Sequence, residues 1–215
     1  MVLFVLLNKI EILKYNNCII LLTMNERESN TKKIIIEDDS IDIIEVPNII
    51  HIGNIVEKTT NSKGKWKLEY VCEKEIQKRE NGRIYFIIVD DTIYKIGSSE
   101  CKGGIKNTFA FYEGGLGGSP SIRTFGIHLL IQEQLNLGRT IKIYALFIEP
   151  IKVIIHGLLS SVEKITYPQI KEMEDLCRED YKKIYGKYPK WNFQENVEEW
   201  PEHIKLAYKE QVNNR

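Results

Sequence analysis

Residues 82–97 read GRIYFIIVDDTIYKIG and decide the fold. The run at residues 84–89 consists of β-branched and aromatic side chains, which favour a strand. Asp90 and Asp91 follow as a two-residue turn, and residues 92–97 form a second run that favours a strand. The stretch therefore predicts an antiparallel β-hairpin.

Two helices and a third strand are predicted after the hairpin. Ser119 suits the cap of a helix, Pro120 suits its first position, and Gly138 suits its end. Residues 140–148 read TIKIYALFI, which predicts the third strand, and residues 169–185 predict the second helix. This order of elements predicts an α+β fold, in which helices flank a small three-stranded antiparallel sheet.

The chain before residue 81 is predicted to be an N-terminal extension. Residues 33–57 contain short isoleucine-rich runs, which predict short strands with turns between them. Residues 59–66 are polar and predict a loop or linker, and residues 67–79 predict a charged helix with one apolar face. The predicted divisions of the chain are a leader (1–23), the extension (24–80), a main domain (81–195) and a C-terminal helical tail (196–215).

The leader is apolar, but Lys9, Glu11 and Lys14 interrupt it. No basic segment precedes the apolar run and no small-residue cleavage site follows it, so neither a signal peptide nor a membrane anchor is predicted. A polar stretch begins at Met24. The leader is therefore predicted either to be disordered or to be untranslated, with synthesis starting at Met24.

The overall charge gives no sign of a nucleic-acid partner. The 215 residues include 30 Lys and Arg and 30 Asp and Glu, so the formal net charge is zero and any DNA-binding surface must be local. The spacing of the four cysteines fits neither a zinc site nor a disulfide framework: they are Cys18, Cys72, Cys101 and Cys177. Reduced thiols predict an intracellular protein of the cytoplasm or nucleus, with no membrane partner.

The hairpin resembles the opening of the GIY-YIG nuclease superfamily. Members carry a Gly-Ile-Tyr triplet on the first strand and a Tyr-Ile-Gly triplet on the second. The counterparts here are residues 83–85 (RIY) and residues 95–97 (KIG), the latter in the Lys-Ile-Gly variant. Because side chains alternate along a strand, we expect Tyr94 to point to the opposite face from Lys95. The resemblance thus selects Tyr85 and Lys95 as catalytic residues that could meet across the hairpin.

The resemblance also implies an arginine on the first helix after the hairpin, which binds the phosphate of the substrate. Arg123 fits this place, because a guanidinium matches phosphate oxygens with two parallel hydrogen bonds. Residues 98–118 form a connection longer than that of many members, so Lys102 and Lys106 are competitors. That connection contains six glycines and is predicted to be a loop, which either contacts DNA or is a tolerated insertion.

Three further residues complete the implied site. Glu174 is the predicted ligand of Mg²⁺ or Mn²⁺, with Glu172 and Glu179 as alternatives on the same helix, because hard cations prefer carboxylate oxygens. His128 is predicted either to assist proton transfer or to be structural. Asn192 is predicted either to orient a backbone or phosphate oxygen or to be a simple turn residue.

The function implied by the resemblance is metal-dependent hydrolysis of DNA phosphodiester bonds. Lys95 could act as a base or as a cation that holds phosphate, and the sequence leaves both roles open. The alternatives are a catalytically degenerate protein that binds nucleic acid through the same fold, and an interaction protein in which the motifs match by accident. The oligomeric state is open, and a homodimer is suggested only by analogy with restriction-type members.

Overall fold

The computed structural model describes residues 13–15, 18–20, 43–59 and 65–213. The chain forms two compact units, Met1–Glu37 and Asp38–Arg215. In the first unit, β1 (Leu13–Tyr15) and β2 (Cys18–Ile20) form an antiparallel hairpin. The start predicted at Met24 lies outside the described residues.

The second unit is built on a five-stranded antiparallel sheet. Its strands are β3 (Ile50–Glu57), β4 (Trp66–Tyr70), β5 (Arg83–Val89), β6 (Thr92–Ser99) and β7 (Ile141–Phe147). They lie in the order β4-β3-β7-β5-β6. The α+β class and the antiparallel pairing are confirmed, but the prediction of three strands is wrong, because β3 and β4 extend the sheet beyond β7.

The hairpin of β5 and β6 is confirmed. Asp90 and Asp91 have φ angles of 45° and 65°, the left-handed values that a two-residue hairpin turn requires. β5 is buried along its whole length, because β6 and β7 pair with it on either side and helices cover its two faces.

The prediction of a charged helix at residues 67–79 is wrong for the first half of that segment. Trp66 and Leu68 are buried while Lys67 and Glu69 are exposed, so this segment alternates with the period of a strand and forms β4. Only Lys74–Lys78 is helical, as the short helix α1. In so short a segment, the apolar positions fit the period of a helix as well as that of a strand. Pairing with β3 decides in favour of the strand.

The glycine-rich connection also contains a helix, which corrects its prediction as a loop. Gly103 and Gly104 have positive φ angles, and α2 (Gly104–Glu113) begins there. Along α2, Ile105, Phe109 and Tyr112 are buried at helical spacing. This apolar stripe, which packs against the sheet, outweighs the flanking glycines.

α3 (Ile122–Asn136) begins two residues later than predicted. Its cap is Ser121 and not Ser119, because the Ser121 Oγ accepts a hydrogen bond from the backbone N–H of Thr124 at 3.2 Å. Pro120 consequently lies before the helix. The predicted end at Gly138 is close to the observed one, since Gly138 has a φ angle of 73° just beyond the helix.

The remaining elements are β8 (Ile151–His156) and β9 (Ser161–Thr166), which form a separate exposed hairpin, followed by α4 (Ile170–Tyr185) and α5 (Glu202–Asn213). The helix predicted at residues 169–185 is confirmed as α4, which Gly186 ends with a φ angle of 74°. Within the described residues, no helix is long and apolar enough to cross a membrane.

The five-stranded sheet separates two apolar cores. One core contains Tyr85, Ile87 and side chains of α2, α3 and α5, and we call this side the α3 face. The other contains Ile84, Phe86 and side chains of α4, and we call this side the α4 face. β6 is the edge strand between the two faces, so residues of α3 and α4 can approach each other around it.

Candidate active site

A β-bulge in β6 determines which side chains lie beside Tyr85. Ile87 pairs with Lys95, whereas the next residue of β5, Ile88, pairs with Ile93, so Tyr94 is the extra residue of the bulge. Tyr94 packs against the core of the α3 face, the same core that contains Tyr85. Our expectation that Tyr94 points to the opposite face was therefore wrong, because the bulge breaks the alternation of side chains.

Tyr94 nevertheless has its own partners. Its hydroxyl accepts a hydrogen bond from Arg139 Nη1 at 2.9 Å, and its ring makes an edge contact with Trp191 at 5.1 Å between ring centroids. The backbone N–H of Trp191 donates to the carbonyl of Tyr94 at 2.7 Å. These contacts give Tyr94 a structural role at the end of the sheet.

Tyr85 and Gly97 face each other across the hairpin. They are a directly paired position of β5 and β6, and a Cβ added to Gly97 would lie 2.4 Å from the Tyr85 hydroxyl oxygen. Glycine at this position therefore lets the Tyr85 ring lie across β6. The Lys-Ile-Gly triplet thus has a steric reason for its glycine that is independent of any resemblance.

The Tyr85 hydroxyl meets a second phenol that the sequence analysis missed. The hydroxyl oxygens of Tyr85 and Tyr112 lie 2.7 Å apart, and both side chains are buried. Burial raises the pKa of both hydroxyls, and the neighbouring phenol raises the pKa of Tyr85 further. Both tyrosines therefore remain neutral at ordinary pH. The i, i+4, i+7 apolar spacing of α2 was the signal that could have indicated Tyr112.

Lys95 is a buried lysine with a strongly altered acidity. Only 6% of the residue is exposed, and burial lowers the pKa of its amine to about 8, with the positive charge of Arg123 adding to this effect. The carboxylates of Glu195 and Glu174 act in the opposite direction, and Arg178 lowers the pKa slightly more. About a tenth of the amine is therefore neutral at pH 7, far more than for an exposed lysine.

Arg123 is the exposed cation of this group. It occupies the first turn of α3, and its Nη2 lies 3.4 Å from Gln194 Oε1. Its positive charge lowers the pKa values of Tyr85, Lys95 and Tyr112. The guanidinium is thus exposed to solvent and electrostatically coupled to all three buried side chains.

Glu174 approaches the same edge strand from the α4 face. Its Oε2 accepts a hydrogen bond from Ser98 Oγ at 2.8 Å and lies 3.5 Å from Lys171 Nζ, while its Oε1 lies 3.3 Å from Arg178 Nη1. Its negative charge acts on the pKa values of Tyr85, Lys95 and Tyr112. Tyr85, Lys95, Arg123 and Glu174 therefore form one electrostatically coupled group around β6.

The alternative carboxylates lie elsewhere on α4. Glu172 is exposed in the first turn, and Glu179 is exposed and accepts a hydrogen bond from the Tyr188 hydroxyl. The side chain of Glu174 is only 12% exposed. Of the three predicted candidates, Glu174 is the one that contacts the hairpin.

A single carboxylate is consistent with a magnesium site. Mg²⁺ commonly binds through one or two carboxylates and completes its shell with waters and substrate phosphates. An ionised carboxylate offers about four lone-pair positions, so Glu174 can retain its hydrogen bonds and still bind a cation. Among the described residues, no group of three or more His, Cys, Asp and Glu side chains could hold a metal ion. A single carboxylate such as that of Glu174 is thus compatible with Mg²⁺ or Mn²⁺ when other oxygen ligands complete the coordination shell.

His128 lies on α3 in a buried, structural setting. Its Nδ1 is 2.8 Å from the carbonyl oxygen of Tyr112, and its ring stacks on Trp66 at 5.1 Å. Burial lowers the pKa of its imidazole, which favours the neutral form. These contacts favour the structural alternative for His128 over proton transfer.

The side chain of Asn192 connects the segment after α4 to the edge strand β6 by hydrogen bonds. Its Oδ1 accepts from the N–H of Ile96 and its Nδ2 donates to the carbonyl of Ile96, both at 3.0 Å. The residue is 2% exposed. Both ends of the amide are therefore bonded to the backbone of β6, which supports the role of orienting a backbone oxygen.

We expect Asn192→Ala to lower the free energy of unfolding by about 3 kcal/mol, because it leaves two buried backbone groups of Ile96 without partners. Urea unfolding followed by circular dichroism measures the change. Asn107→Ala is the matched control, because the exposed Asn107 amide also donates to a backbone carbonyl. Equal unfolding midpoints for the two variants would contradict the proposed anchoring of β6.

Comparison with known proteins gives only distant similarities. The sequence matches no protein-family model and no curated protein. The restriction endonuclease HPY188I in complex with product DNA is similar in structure, with 21% identity and a TM-score of 0.39 over 70% of this chain and 85% of that chain. A mutant of EndoII from bacteriophage T4 is similar with 16% identity and a TM-score of 0.38, over 67% of this chain and 90% of that chain. Both TM-scores are low, so we infer function from the residues of the site.

Proposed function

We propose that this protein is a metal-dependent DNA endonuclease with a GIY-YIG-type active site around β6. The observation that carries the proposal is the electrostatic coupling of Tyr85, Lys95, Arg123 and Glu174, which lie on four different elements of the fold, β5, β6, α3 and α4. A base, an exposed cation and a carboxylate are what phosphodiester hydrolysis needs.

In this proposal Arg123 binds the scissile phosphate. The guanidinium is exposed at the start of α3, where DNA can reach it, and its charge opposes the negative charge that develops during phosphoryl transfer. Glu174 binds Mg²⁺ or Mn²⁺, which supplies Lewis-acid stabilisation of the phosphate oxygens when it is bound.

Lys95 acts as the general base in this proposal. Its neutral amine takes the proton of a water molecule, the water oxygen forms a bond to phosphorus, and the bond from phosphorus to the leaving sugar oxygen breaks. The leaving oxygen takes a proton from solvent. Lys95 suits the role better than Tyr85, because a pKa of about 8 is close to the working pH whereas burial raises the pKa of Tyr85. Tyr85 and Tyr112 stay neutral and orient the attacking water with their hydroxyls.

Incubation with supercoiled plasmid and Mg²⁺ tests the proposal. We expect the wild type to nick or linearise the plasmid and Arg123→Ala to lower the rate by about a hundredfold, the effect of losing one charged contact to the transition state. The fold should survive, since Arg123 is exposed and its described hydrogen bond is to Gln194.

Lys106→Ala and Lys102→Ala are the matched controls, because both lysines are exposed and were competitors for the phosphate-binding role. A loss confined to Arg123→Ala supports the proposal. A larger loss in either lysine variant would move the phosphate site to the start of α2. Plasmid that stays intact while the protein binds it would instead indicate the catalytically degenerate DNA-binding protein.

A further inference from the structure

A closed chain of polar contacts links α4, the segment after it and the edge strand. From Ile96 of β6, the chain passes through Asn192 to Glu195, whose Oε2 lies 3.4 Å from Asn192 Nδ2. Arg178 contacts Glu195 and also Glu174. Glu174 then returns the chain to β6 through its hydrogen bond with Ser98.

Arg178 is the centre of this chain. It is 5% exposed, and its guanidinium contacts three carboxylates, those of Glu174, Asp175 and Glu195. Burial lowers the pKa of the guanidinium, but the three carboxylates outweigh burial and raise the pKa above its usual value, so the guanidinium remains charged. An arginine in this setting has little freedom, and it fixes Oε1 of Glu174.

Ser98 fixes the other oxygen of the same carboxylate. Its Oγ donates to Glu174 Oε2 at 2.8 Å, the usual length of a hydroxyl hydrogen bond. Ser98 directly follows Gly97, and it pairs with Ile84 on the α4 face of the hairpin. The residue after the Lys-Ile-Gly triplet therefore faces Glu174, while Lys95 and Gly97 pair with residues of the α3 face.

We propose that Ser98 and Arg178 are positioning residues, which together hold the Glu174 carboxylate in the orientation in which it binds the divalent metal. The inference rests on the proposed function, because it assumes that Glu174 is a metal ligand. Partners that orient a ligating carboxylate contribute to metal affinity, and their loss commonly lowers that affinity by a factor of about 10 to 100.

The test is the affinity for Mn²⁺, measured by isothermal titration calorimetry on the full chain. We expect Ser98→Ala to weaken Mn²⁺ binding by about tenfold, Ser98→Thr to restore most of the affinity because it keeps the hydroxyl, and Glu174→Ala to abolish binding. Arg178→Lys should also weaken binding, because an ammonium lacks the planar fork of donors with which the guanidinium contacts three carboxylates.

Ser99→Ala is the matched control for a merely structural effect. The neighbouring Ser99 hydroxyl is also used in hydrogen bonds, with the N–H of Cys101 and the hydroxyl of Thr108, but it pairs with Arg83 and has no described contact with Glu174. Unchanged Mn²⁺ affinity in Ser99→Ala beside weakened affinity in Ser98→Ala supports the inference.

Equal Mn²⁺ binding by Ser98→Ala and the wild type, including no binding by either, would overturn it. Failure of the proposed function would give a different result. The wild-type protein would leave the plasmid intact, but it would still bind Mn²⁺, and Ser98→Ala would still weaken that binding.

Discussion

Glu174→Gln is expected to lower the rate of plasmid cleavage by about a thousandfold at saturating Mg²⁺. The substitution keeps the size of the side chain and an acceptor for the Ser98 hydroxyl, but it removes the negative charge that would hold the metal. A metal ion contributes several kcal/mol of transition-state stabilisation, and about 4 kcal/mol corresponds to a factor of about a thousand.

Cleavage is measured as the initial rate of conversion of supercoiled plasmid over a range of Mg²⁺ concentrations. Glu172→Gln and Glu179→Gln are the matched controls, since both are exposed carboxylates of the same helix. We expect both to cleave at nearly the wild-type rate. Full cleavage activity in Glu174→Gln would show that the metal ligand has been misassigned. Loss of activity in Glu172→Gln or Glu179→Gln, with Glu174→Gln still active, would show the same.

The second large effect is the pH dependence that Lys95 imposes on cleavage. Burial lowers the pKa of the amine to about 8, and only the neutral amine can accept a proton. About half of the amine is neutral at pH 8 and about one part in a hundred at pH 6, so we expect the rate to fall by about fiftyfold from pH 8 to pH 6. Above pH 8 the rate should level off.

The charges that set this pKa lie on several elements of the fold. Arg123 of α3 and Arg178 of α4 lower it, whereas Glu174 of α4 and Glu195 raise it. We therefore expect Glu195→Gln to shift the break in the rate profile to lower pH, because removing a carboxylate further disfavours the charged amine.

Lys95→Arg is the decisive variant for the role of the amine. A guanidinium stays charged at every pH of the assay, so this variant should lose about a thousandfold in rate at pH 8 and lose the break in its profile. A wild-type rate that falls as pH rises through 8, together with activity in Lys95→Arg, would show that Lys95 serves as a phosphate-binding cation. Circular dichroism spectra control for folding, since Lys95 is buried.

Local patterns in the sequence were sufficient for the hairpin and the last long helix. The β5–β6 turn depends on Asp90 and Asp91, whose side chains tolerate left-handed backbone angles, and the strands on either side are contiguous in sequence. α4 is similarly local, because its charged face, apolar positions and terminal Gly186 lie within one segment. The sequence offered Glu174 beside Glu172 and Glu179 as candidate carboxylates, and only the tertiary structure shows that Glu174 contacts the hairpin, through Ser98.

Elements that depend on distant partners were not predictable in the same way. β4 becomes a strand because it pairs with β3, which in turn pairs with β7 nearly a hundred residues later in the chain. α2 forms in a glycine-rich segment because its apolar stripe packs in the core of the α3 face. In both cases tertiary packing outweighs a weak or ambiguous local preference.

The sequence by itself therefore determined the β5–β6 hairpin and the helix α4, because each depends on a short stretch of adjacent residues. Only the tertiary structure decided that Tyr112 meets Tyr85, that Tyr94 occupies a bulge, and that Arg178 faces three carboxylates. The physical reason is that these contacts depend on strand register and on the packing of helices from opposite faces around one edge strand. Neither can be predicted from a short stretch of sequence.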